Sequence, residues 1–169
     1  GIGKGDTVSI MAPNIPAIFE AHFGVLMTGA VLNTINIRLE AEILSYIFEH
    51  AETKVLLTDR EFSSVIKQAL SKVKQNILVI DIDDPETESG NFLGEKEYED
   101  FLEEGDPEFE AILPEEDWQS VSLNYTSGTT GKPKGVVYHS RGAYLLATGN
   151  VGTGPSHRPR ACHWFRLRD

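Results

Sequence analysis

The stretch Tyr125–Gly135, YTSGTTGKPKG, puts three glycines, four serine or threonine hydroxyls, two lysines and one proline into eleven residues. It is too rich in glycine for a helix interior and too polar for a core strand. Its flanks are different. SVSLNY (Ser120–Tyr125) alternates as a strand does, and GVVYH (Gly135–His139) is rich in β-branched and aromatic residues. The stretch therefore reads as a loop joining two strands.

Upstream, strand and helix patterns alternate. TVSIMA (Thr7–Ala12) reads as a buried strand. Asn14 is the expected N-cap of a helix, with Pro16 in its first turn and Gly29 ending it. Ile15, Ile18, Phe19, Phe23 and Leu26 form its expected apolar stripe. A second helix is predicted over Glu40–Ala51, on the stripe Ile43, Leu44, Ile47 and Phe48. KVLLT (Lys54–Thr58) is a strand. Phe62, Val65, Ile66, Ala69, Leu70 and Val73 then follow helical spacing. NILVID (Asn76–Asp81) is the next strand. Such alternation predicts an α/β fold, a doubly wound parallel sheet with helices on both faces. Ligands of such sheets bind at loops beyond the carboxyl ends of strands.

The chain has 169 residues and a net charge of -11. Residues 1–117 hold 8 basic and 25 acidic side chains, whereas residues 118–168 hold 7 basic and none acidic. An acidic chain is a poor nucleic-acid binder, because phosphate backbones require a basic footprint. The acid-free segment around the glycine-rich loop suits a small anion. Asp81–Asp117 holds 17 acidic residues and one lysine, Lys96. It reads as a solvated excursion with a short helix near Lys96–Glu103, not as a metal site, since its spacing fits no calcium loop. His22 and His50 lack ligand-spaced partners and are expected to be half-buried and hydrogen-bonded. Trp118 is expected beside the following strand. No apolar run reaches membrane-spanning length. Cys162 is the only cysteine. Cytoplasmic placement is the default expectation.

The loop chemistry points to a polyphosphate. Glycines permit close backbone approach, and successive N–H groups can converge on an anion. Thr126, Ser127, Thr129 and Thr130 add hydroxyl donors, and Lys132 and Lys134 add charge. Pro133 stiffens the loop between them. The Walker pattern fails twice: Thr126 stands where its first glycine belongs, and Pro133 follows Lys132 where serine or threonine belongs. Composition alone leaves a loop that binds nothing as an open alternative.

YTSGTTGKPKGVV (Tyr125–Val137) resembles the phosphate-binding signature of the adenylate-forming (AMP-binding) superfamily. Gly3–Phe62 is similar to its fatty acyl- and aryl-CoA synthetase branch. NTINIRL (Asn33–Leu39) stands where carrier-protein adenylation domains carry a proline-rich segment, and HSRGAYL (His139–Leu145) also suits the CoA branch. The resemblance spans Gly1 to about Val151. It implies ATP with Mg2+, coenzyme A as co-substrate, and a fatty or aryl acid activated through an acyl-adenylate. It also implies that Thr126, Ser127, Gly128, Thr129, Thr130, Gly131, Lys132, Lys134 and Gly135 hold the β- and γ-phosphates. No catalytic residue and no metal ligand is assigned.

The chain departs from the family as well. It has no recognised ribose-binding segment, hinge or catalytic-lysine segment. The expectation is a partial N-terminal domain over residues 1–151, inactive alone, from a chain entered partway through a longer protein. A tag scar or processing site is the other reading of Gly1. Residues 152–169, GTGPSHRPRACHWFRLRD, hold four of the seven arginines. They are expected to be a non-family tail, disordered or out-of-frame. A zinc site on His157, Cys162 and His163 is disfavoured there.

Overall fold

The computed structural model describes residues 1–126 and 132–153. At its centre lies β1 (Thr7–Met11), buried along its whole length. The chain continues through α1 (Pro16–Met27), β2 (Val31–Thr34), α2 (Ala41–His50), β3 (Thr53–Asp59) and a 3-10 turn (Arg60–Phe62). Next come α3 (Ser63–Leu70), β4 (Leu78–Ile82), β5 (Lys96–Glu97), α4 (Tyr98–Glu103), β6 (Ser120–Tyr125), β7 (Gly135–His139) and α5 (Ser140–Thr153).

The seven strands form one sheet in the order β5-β4-β3-β1-β2-β6-β7. All neighbours are parallel except β6 and β7, which form an antiparallel hairpin around the glycine-rich loop. Helices cover both faces, as the alternation predicts. On one face, Ala17, Ala21 and Val25 of α1 pack on Val8, Ile10 and Leu32. On the other, Leu44 and Phe48 of α2 and Ile66 and Ala69 of α3 pack on Met11 and Leu56. The β-branched and aliphatic runs lose both faces to these layers, as central parallel strands do.

Several expectations change. Asn14 does not cap α1: Ile15 occupies that position without a side-chain cap bond, and Pro16 follows in the first turn. Gly29 ends α1 as expected, with φ 74° and its N–H donating to the Leu26 carbonyl at 3.0 Å. The expected stripe is only partly the buried face: Ile15, Ile18 and Leu26 are half-buried and pack against the core, whereas the two phenylalanines do not. Phe19 and Phe23 are 48% and 58% exposed, with ring centroids 5.1 Å apart. α1 is apolar nearly all round, so spacing could not select a face, and small Ala17 and Ala21 let the helix approach the sheet closely. The helix read across Phe62–Val73 ends at Leu70, and the Val73 N–H closes the next turn on the Leu70 carbonyl at 3.2 Å.

His22 and His50 are exposed rather than half-buried, although both are hydrogen-bonded. Trp118 is largely exposed, and its ring lies 4.6 Å from that of His139 on β7. The acidic excursion is not wholly solvated. Asp81 is fully buried, and its Oδ2 accepts the Leu93 and Gly94 amides at 2.9 and 2.6 Å. Tyr98 is buried too, and its hydroxyl donates to Glu20 Oε2 at 2.9 Å.

Candidate functional site

β2 and β6 run side by side and end together, then diverge. β2 leads to α2 on one face of the sheet, whereas β6 turns into the hairpin. A crevice opens where neighbouring parallel strands send their continuations apart. Thr34 Oγ1 donates to Asn124 Oδ1 at 2.7 Å, tying the two strands at this end. A cavity of about 270 Å3 lies here, lined by Asn36, Ile43, Ile47, Tyr125, Thr126 and Pro133 among others. Tyr125, Thr126 and Pro133, at the two ends of the glycine-rich stretch, belong to its lining.

The neck of the loop is a regular hairpin. Tyr125 stands opposite Gly135, and the Thr126 N–H donates to the Lys134 carbonyl at 3.1 Å. Gly135 is not in the left-handed region. Its lack of a side chain matters for space instead: a Cβ there would sit 3.0 Å from Leu123 Cδ1 and 3.6 Å from the Tyr125 ring. Thr126, Lys132 and Lys134 are exposed at this neck, with Pro133 half-buried between the lysines. Ser127, Gly128, Thr129, Thr130 and Gly131 lie outside the described residues, as do His157, Cys162 and His163.

Two residues that sequence reading did not assign to the site sit beneath the neck. Lys132 Nζ lies 4.8 Å above the Tyr46 ring, within the range of a cation–π contact. His50 Nδ1 is 2.7 Å from the Tyr125 hydroxyl, and the two rings meet edge-on with centroids 5.7 Å apart. Tyr46 and His50 are four residues apart on α2 and so share one face of the helix. That spacing of aromatic groups beside the core stripe was the available signal. Burial, with a smaller contribution from Tyr46, pushes the Tyr125 hydroxyl up to about 12. It therefore keeps its proton at neutral pH.

Chemically, the neck offers two ammonium groups and the Thr126 hydroxyl to an anion. It offers no carboxylate set for a cation: residues 118–168 contain no Asp or Glu. Among the described residues, no three His, Cys, Asp or Glu side chains group to hold a metal ion. Among them too, no helix is long and apolar enough to cross a membrane.

The chain is similar to known proteins in sequence and in fold. The AMP-binding enzyme family matches residues 1–164. An acetate–CoA ligase of Humulus lupulus, CCL3, is 48% identical over 158 residues, covering 86% of this chain and 28% of that protein. The acetate/butyrate–CoA ligase AAE7, peroxisomal, of Arabidopsis thaliana is 46% identical, covering 88% of this chain and 28% of that protein. The chain thus spans little more than a quarter of the curated relatives it matches. In fold it resembles the anthranilate CoA ligase AuaEII, solved with anthranoyl-AMP. There the TM-score is 0.76 at 24% identity, over 87% of this chain and 27% of that one. The acetoacetyl-CoA synthetase from Streptomyces lividans gives a TM-score of 0.75 at 23% identity, over 90% and 24%. By a match that runs through nearly its whole length, the chain belongs to the AMP-binding enzyme family, and the curated relatives given above are named as CoA ligases.

Proposed function

We propose that this chain carries the ATP polyphosphate loop of an AMP-forming acyl-CoA synthetase. The observation that carries the reading is the neck itself. Thr126, Lys132 and Lys134 stand exposed on a closed hairpin at the carboxyl ends of β2 and β6, in a chain 48% identical to an acetate–CoA ligase. In the reaction, a carboxylate oxygen attacks the α-phosphorus of ATP and the bond to pyrophosphate breaks. The coenzyme A sulfur then attacks the acyl carbon and AMP leaves. Negative charge builds on the departing pyrophosphate in the first step. Lys132 and Lys134 offset that charge, and hydroxyl and amide donors along Thr126–Gly135 orient the phosphates. Positioned donors of this kind are a major source of rate enhancement.

The family implies magnesium, which neutralises phosphate charge when bound with ATP. The described side chains near the neck provide ammonium and hydroxyl groups, not a magnesium seat, so no step is assigned to it here.

The acid is proposed to be short. Three relatives are named for acetate, acetate/butyrate and 2-methylpropanoate, which favours a small aliphatic acid over an aryl one. The parent reaction would then belong to fatty acid metabolism in the wide sense. Cytoplasmic placement is retained as the default. The peroxisomal name of one relative makes that organelle the alternative. The division at Val151 is proposed on composition alone, and sequencing the genomic locus across codon 151 in all frames tests it.

For the chain by itself we propose nucleotide binding without catalysis. No segment for the ribose, the acyl pocket or a catalytic lysine is recognised in its 169 residues. The expected result is saturable ATP binding, weakened by Lys132→Ala and Lys134→Ala, with no ATP–pyrophosphate exchange on acetate or butyrate. Exchange above background would refute inactivity. Binding unchanged in both lysine variants would refute the loop's role.

A further inference from the structure

The two ends of the glycine-rich loop rest on neighbouring rings of one helix. Tyr125, the residue entering the loop, bonds His50 at 2.7 Å. Lys132, on the returning side, holds its ammonium 4.8 Å over Tyr46. The Tyr46 and His50 rings are themselves tilted together, with centroids 5.3 Å apart. Lys132 is exposed and forms no ion pair among the described residues. The aromatic face is thus its partner in the ligand-free chain.

We propose that Tyr46 is a resting place for Lys132, which the lysine must leave to bind polyphosphate. The inference rests on the loop reading given above. An exposed ammonium, such as that of Lys132 over the half-buried Tyr46 ring, is held weakly. The same ammonium against a phosphate oxygen gains a charge-assisted hydrogen bond, the stronger of the two. Phosphate therefore takes the lysine from the ring, and the ring lowers apparent affinity by about two- to fivefold. In return, the lysine waits at the foot of the loop instead of ranging through solvent. The His50–Tyr125 bond fixes the other end, so that only one arm of the neck changes partner.

The test uses the 169-residue chain with 13C-labelled lysine, observed by NMR, with sodium tripolyphosphate as probe. Lys132 is assigned by Lys132→Arg. Before addition, its Hε signals should lie upfield of the other lysines, through the ring current of Tyr46. Tyr46→Leu should abolish that shift, and Tyr46→Phe should keep it. On titration the wild-type signal should move to the free-lysine position. Tyr46→Leu should bind tripolyphosphate about two- to fivefold more tightly, and Tyr46→Phe as wild type. A merely structural role for Tyr46 would not produce tighter binding on its removal.

Lys132 still ring-shifted at saturation, or Tyr46→Leu binding no tighter than wild type, overturns the inference and leaves the loop reading standing. No saturable response at Thr126, Lys132 or Lys134 overturns the loop reading, and the inference with it.

Discussion

β1 and β7 are strands of the same sheet and the same length, yet they sit in opposite circumstances. Every residue of β1 is buried, and it is paired on both sides along its length by β2 and β3. Four of the five residues of β7 are exposed, and β7 is the sheet's last strand. α5 continues the contrast, with Tyr144, Leu145 and Leu146 largely exposed. The body from β1 to α4 holds both core clusters, whereas the hairpin holds the candidate chemistry. A rigid body that positions a less stable functional loop is a common division of labour, since ligand-binding segments come from the low-stability end.

The largest expected effect lies in the body. Phe48 is fully buried between α2, α3 and the sheet. Phe48→Ala should cost about 3–5 kcal/mol in urea unfolding, the range for deleting a buried aromatic ring. Val137 on β7 is 55% exposed, and Val137→Ala should stay within about 0.5 kcal/mol. Comparable losses from the two substitutions would break the contrast.

Next in size is a backbone contact at the far edge of the body. A Cβ on Gly94 would lie 2.1 Å from the Val79 carbonyl oxygen. Gly94→Ala must push the excursion off β4 and strain the two amide bonds to Asp81. The expected cost is about 1–3 kcal/mol, typical of overpacking. Loss of amide protection should centre on residues 93–97 and spare the hairpin. If β6 and β7 lose protection equally, body and hairpin open as one unit.

Beside the β2–β6 pairing, one side-chain link between the two regions should be weaker than either effect above. His50 belongs to α2 and Tyr125 to β6, and one 2.7 Å bond joins them. A double-mutant cycle of His50→Phe and Tyr125→Phe should give a coupling of about 0.5 kcal/mol, at the low end for a hydrogen bond because His50 is exposed. Read by amide exchange, it should appear in β6 and β7 opening and be absent from β1. A coupling seen equally in β1 would contradict the division.

Much of the body was legible because its helices are long and its strands β-branched. α2 and α3 showed their buried stripes directly, and β1, β3 and β4 were found to within a few residues. β2 escaped because its four residues end in Asn33 and Thr34, whose polarity hides a strand buried by its neighbours. β5 has only two residues and no period to read. α1 was placed correctly and its face read in part: Ile15, Ile18 and Leu26 pack on the core, but size rather than hydrophobicity set Ala17 and Ala21 there in place of Phe19 and Phe23. The loop's signature was legible as a motif. Tyr46 and His50 were not, because their partners, Lys132 and Tyr125, lie 86 and 75 residues away in sequence and come close only through the β2–β6 pairing. Pairings of that kind are set by topology, which local spacing does not encode.

The smallest effect tests where acid sensitivity resides. Asp59 is fully buried at the end of β3, and burial raises its carboxyl above the ordinary 3.8, partly offset by bonds from the Glu61 amide and the Thr87 hydroxyl. Between those two values the native chain holds more protons than the unfolded one, so stability falls as pH rises through that window. Asp6 has the opposite sign. The Lys54 ammonium first, and the Gly3 amide second, hold its carboxyl below 3.8. Its contribution is present above 3.8 and fades as pH falls through the lowered value. Asp59→Asn keeps the cap on the Glu61 amide and should flatten the first slope, while Lys54→Ala should reduce the second to what the Gly3 amide sustains. Urea midpoints taken in half-unit pH steps would show both. Both carboxylates belong to the body, whereas residues 118–168 contain no acidic side chain. The hairpin's opening, corrected for intrinsic exchange, should therefore ignore both substitutions. An opening profile that follows Asp59 would mean the hairpin unfolds only with the body, and the contrast between β1 and β7 would then be one of exposure without a difference in stability.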